Sequence, residues 1–176
     1  MQRRQGEPKM VRSEGCHRKR SAALTQILSL ALILTWSSLA VASAIPRAVN
    51  LKALARVAEA HHAPIALLFW SPGCRYCAVV ERDFLQPATT DPRFRHVIFR
   101  RIDIKSSKVL RDFAGRATTE ARFAKRLGVT LVPDIRFYNA QGQKVAPEML
   151  GLSTPSFYAS YLDAALRRAQ NLCQRS

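Results

Sequence analysis

The stretch from Pro64 to Leu85 constrains this fold more than any other. It runs Pro-Ile-Ala-Leu-Leu-Phe-Trp, then Ser71-Pro72-Gly73, then Cys74-Arg75-Tyr76-Cys77, then Ala-Val-Val-Glu-Arg-Asp-Phe-Leu. The apolar run Ile65 to Trp70 has strand length and no polar interruption, which predicts a strand covered on both faces. Ser-Pro-Gly breaks it. Two cysteines separated by two residues then open a segment with helical spacing. A thiol at a helix start meets N–H groups without intrahelical partners and the positive end of the helix dipole, and both favour the thiolate. The rest of the chain reads as scaffold for that dithiol.

Upstream, Asn50 to Ala60 carries Leu51, Leu54, Ala55 and Ala58 at helical intervals, with Lys52, Arg56 and Glu59 on another face. This predicts an amphipathic helix capped by Asn50. His61-His62-Ala63-Pro64 ends it, because a proline turns its predecessor away from helix. In the helix that starts near Cys74, residues Cys77, Val80 and Phe84 share a face, and Pro87 is expected to stop it. His96 to Ile104 reads as a strand, whereas Lys105 to Ala117 is polar and gives no clear signal. Thr118 or Thr119 caps a helix with Glu120, Phe123, Ala124 and Leu127 in register, closed by Gly128. Ile135 to Tyr138 is a strand, and Asn139 to Gly142 returns it into Gln143 to Met149 as a hairpin. Thr154 and Pro155 begin a last helix, whose Tyr158, Tyr161, Leu162, Ala165, Leu166 and Ala169 form one apolar stripe. There is no internal repeat. The order predicts an α/β fold with a mixed central sheet and helices on both faces.

Residues 1–44 read as a signal peptide and residues 45–176 as the domain. Arg18, Lys19 and Arg20 precede an uncharged stretch from Ser21 to Ala44, its centre at Ile27 to Leu34 strongly apolar. Ala42-Ser43-Ala44 then supplies small residues in the pattern of a cleavage site. The alternative is an uncleaved membrane anchor, since the uncharged stretch is long enough to span a bilayer. Export would keep Cys74, Cys77 and Cys173 in an oxidising compartment, where the close pair forms a disulfide and one thiol is left over. A bridge closing so short a loop stabilises little by chain entropy, so its purpose is chemical. Cys173 reads as a surface thiol near a frayed end.

The sequence carries 28 Lys and Arg against 12 Asp and Glu, a net of +16. Without residues 1–44 the balance is 21 against 10, or +11. The arginines are scattered and no nucleic-acid motif accompanies them, so a solvated basic surface is expected rather than a nucleic-acid partner. A metal site would need more ligands than one Cys-x-x-Cys, and His61, His62 and Cys173 are the only candidates. Covalent haem attachment would need histidine after Cys77, where Ala78 stands.

Trp70-Ser-Pro-Gly-Cys-Arg-Tyr-Cys before a helix, with Val132-Pro133 ahead of a closing hairpin and helix, resembles the thioredoxin-like family over about residues 47 to 170. The resemblance implies a thioredoxin-like fold and an exported thiol–disulfide oxidoreductase of the periplasm or another extracytoplasmic space. Cys74 would be the attacking thiol and Cys77 the resolving one. Pro133 would match the family's cis-proline. Val132, Pro133, Trp70, Arg75 and Tyr76 would line the substrate. No cofactor is implied beyond the cysteine pair. The partners would be protein thiols or disulfides and a redox partner, with a membrane only if the leader is retained. Two departures stand out: Leu68 occupies the place of the family's buried acid, and Gly73 that of an aromatic. Glu81 is the candidate substitute for the acid. The rival readings are a binding or chaperone-like module with a passive disulfide, and a metal-binding pair.

Overall fold

A computed structural model gives the architecture of the protein and describes residues 44–152 and 155–175. The strand expected at the centre is there. β1 (Ile65–Trp70) is buried along its length except at Trp70, which is half-buried. It pairs in parallel with β2 (Ile98–Asp103), from Ile65 opposite Ile98 to Trp70 opposite Asp103. On its other side it pairs antiparallel with β5 (Asp134–Tyr138), and β6 (Met149–Leu150) completes a sheet in the order β2-β1-β5-β6.

Helices cover both faces: α1 (Leu51–Ala60), α2 (Arg75–Val79), α3 (Gln86–Thr90), α4 (Glu120–Arg126) and α5 (Pro155–Gln174). Successive strand residues point to opposite faces, so β1 feeds two cores. Ala66 and Leu68 meet Val80, Leu85 and the Tyr158, Leu162, Leu166 and Ala169 stripe of α5. Ile65, Leu67 and Phe69 meet Leu51 and Ala58 of α1 and Phe123 and Ala124 of α4. The start of α1 is set by Asn50, whose Oδ1 accepts the Ala53 N–H at 3.0 Å. Thr119 does the same for Arg122 N–H at the start of α4, and Gly128 follows its end at φ 70°.

Several expectations fail, each for a local reason. Pro87 does not stop its helix. A π-helical turn, Val80–Leu85, joins α2 to α3, and helical backbone continues to Thr90 with Pro87 in the first turn of α3. The widened turn shifts the carbonyls that the proline ring would otherwise meet. The polar segment after β2 forms an antiparallel pair, β3 (Val109–Arg111) with β4 (Ala117–Thr119). Only Leu110 of β3 is buried, so no alternation was visible. Buried Asp112 holds its turn, accepting the Arg116 N–H at 2.9 Å and pairing with Arg116 and Arg126, each at 3.1 Å.

The hairpin after β5 is broken. Lys144 bridges to Tyr138, but Pro147 lacks a donor and only Met149–Leu150 returns as strand. Tyr161 is 57% exposed while Tyr158 is buried. Cys173 is buried, not a surface thiol: α5 runs through it, and it shares a face with Leu166 and Ala169. Burial pushes its thiol up from the ordinary range. Among the described residues no helix is long and apolar enough to cross a membrane. The leader reading (1–44) falls almost wholly outside the described residues, as does the Thr154 cap.

Candidate active site

At the end of β1 the chain turns through Pro72 and Gly73, and Gly73 has φ 78°. A Cβ there would meet no atom within 4 Å, so the position demands glycine for its backbone, not for space. That conformation also explains why no aromatic precedes Cys74. Gly73→Ala is expected to cost about 1–2 kcal/mol in urea unfolding, since L-residues are strained in this region.

The turn delivers Cys74 as the N-cap of α2, its own N–H donating to Ser71 O at 3.2 Å. Cys74 and Cys77 are joined by a disulfide, with Cα atoms 5.2 Å apart. The two sulfurs differ in setting. Cys77 is 1% exposed, whereas Cys74 is partly exposed. The Cys77 N–H points at Cys74 Sγ at 3.1 Å. Such a donor stabilises a thiolate there, in addition to the dipole of the helical backbone running from Arg75 to Thr90.

Facing the pair is the Val132–Pro133 loop, whose peptide bond is cis. The Val132 carbonyl oxygen lies 3.9 Å from Cys74 Sγ. Pro133 is buried, and its carbonyl accepts the Gly151 N–H at 2.7 Å, which ties this loop to the end of β6. Arg75 and Tyr76 are exposed on the first turn of α2. Leu131 and Leu150, two exposed leucines that sequence reading did not single out, flank Val132 and Gly151 in the chain. Trp70 is half-buried. Arg101 lies over its ring at 4.7 Å.

Arg101 in turn pairs with Glu81 at 3.2 Å. Glu81 is buried in the π-helical turn, and its Oε1 also accepts the Ile45 N–H at 2.8 Å. The carboxylate is therefore engaged by Arg101 and Ile45. Arg100 and Arg101 are neighbours in sequence, and only strand alternation separates them: Phe99 and Arg101 share the face turned toward Val80 and Glu81.

A second charged cluster adjoins the loop. Asp134, next to Pro133, pairs with Arg136 at 2.8 Å, and both are buried. Arg136 also donates to Leu127 O at 2.7 Å, lies over the Phe69 ring, and approaches Glu148 at 3.6 Å. Asp134 Oδ1 is buried without a partner. Desolvation raises the Asp134 pKa, against the opposing pull of Arg136. Its signal in the sequence was an Asp-x-Arg alternation inside a strand otherwise apolar.

Of the proposed metal ligands, His61 and His62 are exposed at the end of α1 and Cys173 is buried in α5. Among the described residues no group of three or more His, Cys, Asp or Glu is arranged to hold a metal ion.

Comparison with known proteins agrees with this fold. The thioredoxin of Malassezia sympodialis superposes with a TM-score of 0.50 at 18% identity, covering 73% of this chain and 95% of its own. The thioredoxin of Fasciola hepatica gives 0.50 at 15% identity, covering 71% and 99%. At such identities the likeness establishes the fold. No curated protein matches the sequence. A family profile described as a thioredoxin-like domain matches residues 51–166, which takes in the helix-start cysteines, the cis-proline loop and the sheet between them. The chain therefore belongs to the thioredoxin-like family.

Proposed function

We propose that the protein is an exported thiol–disulfide oxidoreductase that exchanges disulfides with protein substrates through Cys74 and Cys77. The observation that carries this reading is the asymmetry of the pair: one partly exposed sulfur at a helix start with an N–H aimed at it, and one buried sulfur bonded to it. In the reductive direction the Cys74 thiolate attacks one sulfur of a substrate disulfide. That bond breaks, the leaving sulfur departs as a thiolate and takes a proton from water, and a mixed disulfide remains on Cys74. The Cys77 thiolate then attacks Cys74 Sγ, releasing the second substrate thiol and closing the Cys74–Cys77 bond. Two electrons pass to the substrate. A dithiol partner resets the pair by the same steps, and the reverse sequence oxidises a substrate dithiol.

Val132 and Pro133 form the wall that an extended substrate segment meets, and Arg75, Tyr76, Leu131 and Leu150 contribute its exposed rim. The apolar side chains favour unfolded or flexible protein segments over small charged thiols. Trp70, half-buried at the end of β1 just before the turn, carries Arg101 over its ring. The small-residue site at Ala42-Ser43-Ala44 supports export. The experiment is insulin reduction by the protein lacking residues 1–44, with dithiothreitol as the electron source. Precipitation faster than with dithiothreitol alone is expected, and Cys74→Ser should return it to that background. A Cys74→Ser protein as active as its parent would refute the assignment.

A further inference from the structure

Ile45 is the first buried residue of the described chain, 2% exposed, while Ala44 before it is exposed. From Ile45 onward the backbone is seated against β2. The Arg101 N–H donates to Pro46 O and the Ala48 N–H to Arg101 O, both at 2.9 Å. The Ile45 nitrogen itself donates to a carboxylate, Glu81 Oε1, across 36 residues of sequence. Glu81 is 8% exposed, and Arg101 reaches its two oxygens at 3.3 and 3.2 Å. A peptide nitrogen brings one hydrogen and no charge to that oxygen. That bond is already assisted by the charge of the carboxylate, and an ammonium at the same place would add its own full positive charge and make the contact an ion pair.

We propose that the Ala44–Ile45 peptide bond is a processing site, and that the α-ammonium it releases at Ile45 pairs with Glu81 on the helix that carries the dithiol. Hydrolysis consumes one water. The C–N bond breaks, Ala44 keeps the oxygen as a carboxylate, and the Ile45 nitrogen takes protons to become an ammonium. The catalyst is a peptidase of the exporting membrane, which reads the small residues Ala42 and Ala44. It acts on the chain before the domain closes, because folding buries this nitrogen against Glu81. Processing thus does more than remove a leader. It converts a hydrogen bond into an ion pair that fastens the new amino terminus to the π-helical turn, four residues beyond Cys77.

The test uses the full chain exported from a bacterial host, independently of any redox activity. Terminal sequencing of the exported protein is expected to begin at Ile45. Amine acetylation at neutral pH, read by peptide mapping, is expected to modify the Ile45 amine at least about tenfold more slowly in the folded protein than in urea, the effect of one buried charge-assisted bond. Glu81→Gln should remove most of that protection. A different terminus, an Ile45 amine as reactive folded as unfolded, or protection unchanged in Glu81→Gln would each overturn the proposal. If Glu81→Gln does not fold, a protein beginning at Ala44 decides. It should melt about 3 °C or more below the Ile45 form, and equal melting would overturn the pairing.

Discussion

Replacing Cys77 by serine is expected to turn the protein into a trap. Substrates attacked by Cys74 would stay attached as mixed disulfides, because the buried sulfur that resolves them is gone. In the exported fraction of a bacterial host, non-reducing gels should show several adducts in Cys77→Ser and none above background in Cys74→Ser/Cys77→Ser. The Val132 carbonyl lies 3.9 Å from Cys74 Sγ, so whatever occupies Cys74 also meets this loop. Pro133→Ala in the trapping background should therefore change which adducts form. An alanine brings an N–H donor beside the thiol and frees φ. Absence of adducts would show that proteins are not exchanged through Cys74. An unchanged adduct pattern in Pro133→Ala would leave the exchange standing and remove the loop as a substrate wall.

The largest effect on stability is expected at Arg136. It neutralises Asp134, caps Leu127 O and covers Phe69. Arg136→Ala would leave a buried carboxylate that already has one unpartnered oxygen. Breaking one side of such a pair costs about 3–5 kcal/mol at neutral pH. The sign with pH follows from the direction of the shift. Burial, acting first, raises the folded-state pKa of Asp134. A raised carboxyl favours the folded state while protonated, and that contribution is lost as pH climbs from the unfolded value of about 3.9 through the folded one. Without Arg136 the folded pKa rises further and the loss grows. Urea unfolding of Arg136→Ala should therefore show a smaller deficit at pH 4 than at pH 7. Equal deficits at both pH values would mean that packing and the Leu127 bond, not charge, account for the cost.

Those two sites differ in how far the sequence announced them. The dithiol was legible because its signals are local: an apolar run, a Pro-Gly turn and two cysteines at one helix start. The caps at Asn50 and Thr119 were legible for the same reason, each side chain reaching only three residues along its own chain. Pro87 misled because a proline ends a regular α-helix, whereas the π-helical turn that tolerates it depends on packing against the sheet. Tyr161 sits on a helix whose phase is set by contact with β5 and the π-helical turn, which periodicity alone placed incorrectly, and Cys173 is buried because that helix continues through the end expected to fray. The β3–β4 pair stayed hidden because Leu110 is the lone inward residue of β3. Arg101, Asp134 and Arg136 were visible only as charges, and Glu81 only as a candidate acid whose partners were not legible. Their pairings span strands and helices, and one of them joins residues 36 apart.

Equilibration of the purified protein with glutathione buffers of graded potential, followed by acid quenching, alkylation in denaturant and mass measurement, addresses the central claim most directly. Cys74 and Cys77 should gain alkyl groups together in one two-electron transition, a tenfold change in the reduced-to-oxidised ratio for about 30 mV. Cys173 should take its label across the whole range once unfolded. A Cys74–Cys77 bond that stays unlabelled at every potential the buffers reach, in native protein given time to equilibrate, would contradict the account and make the disulfide a passive part of the fold.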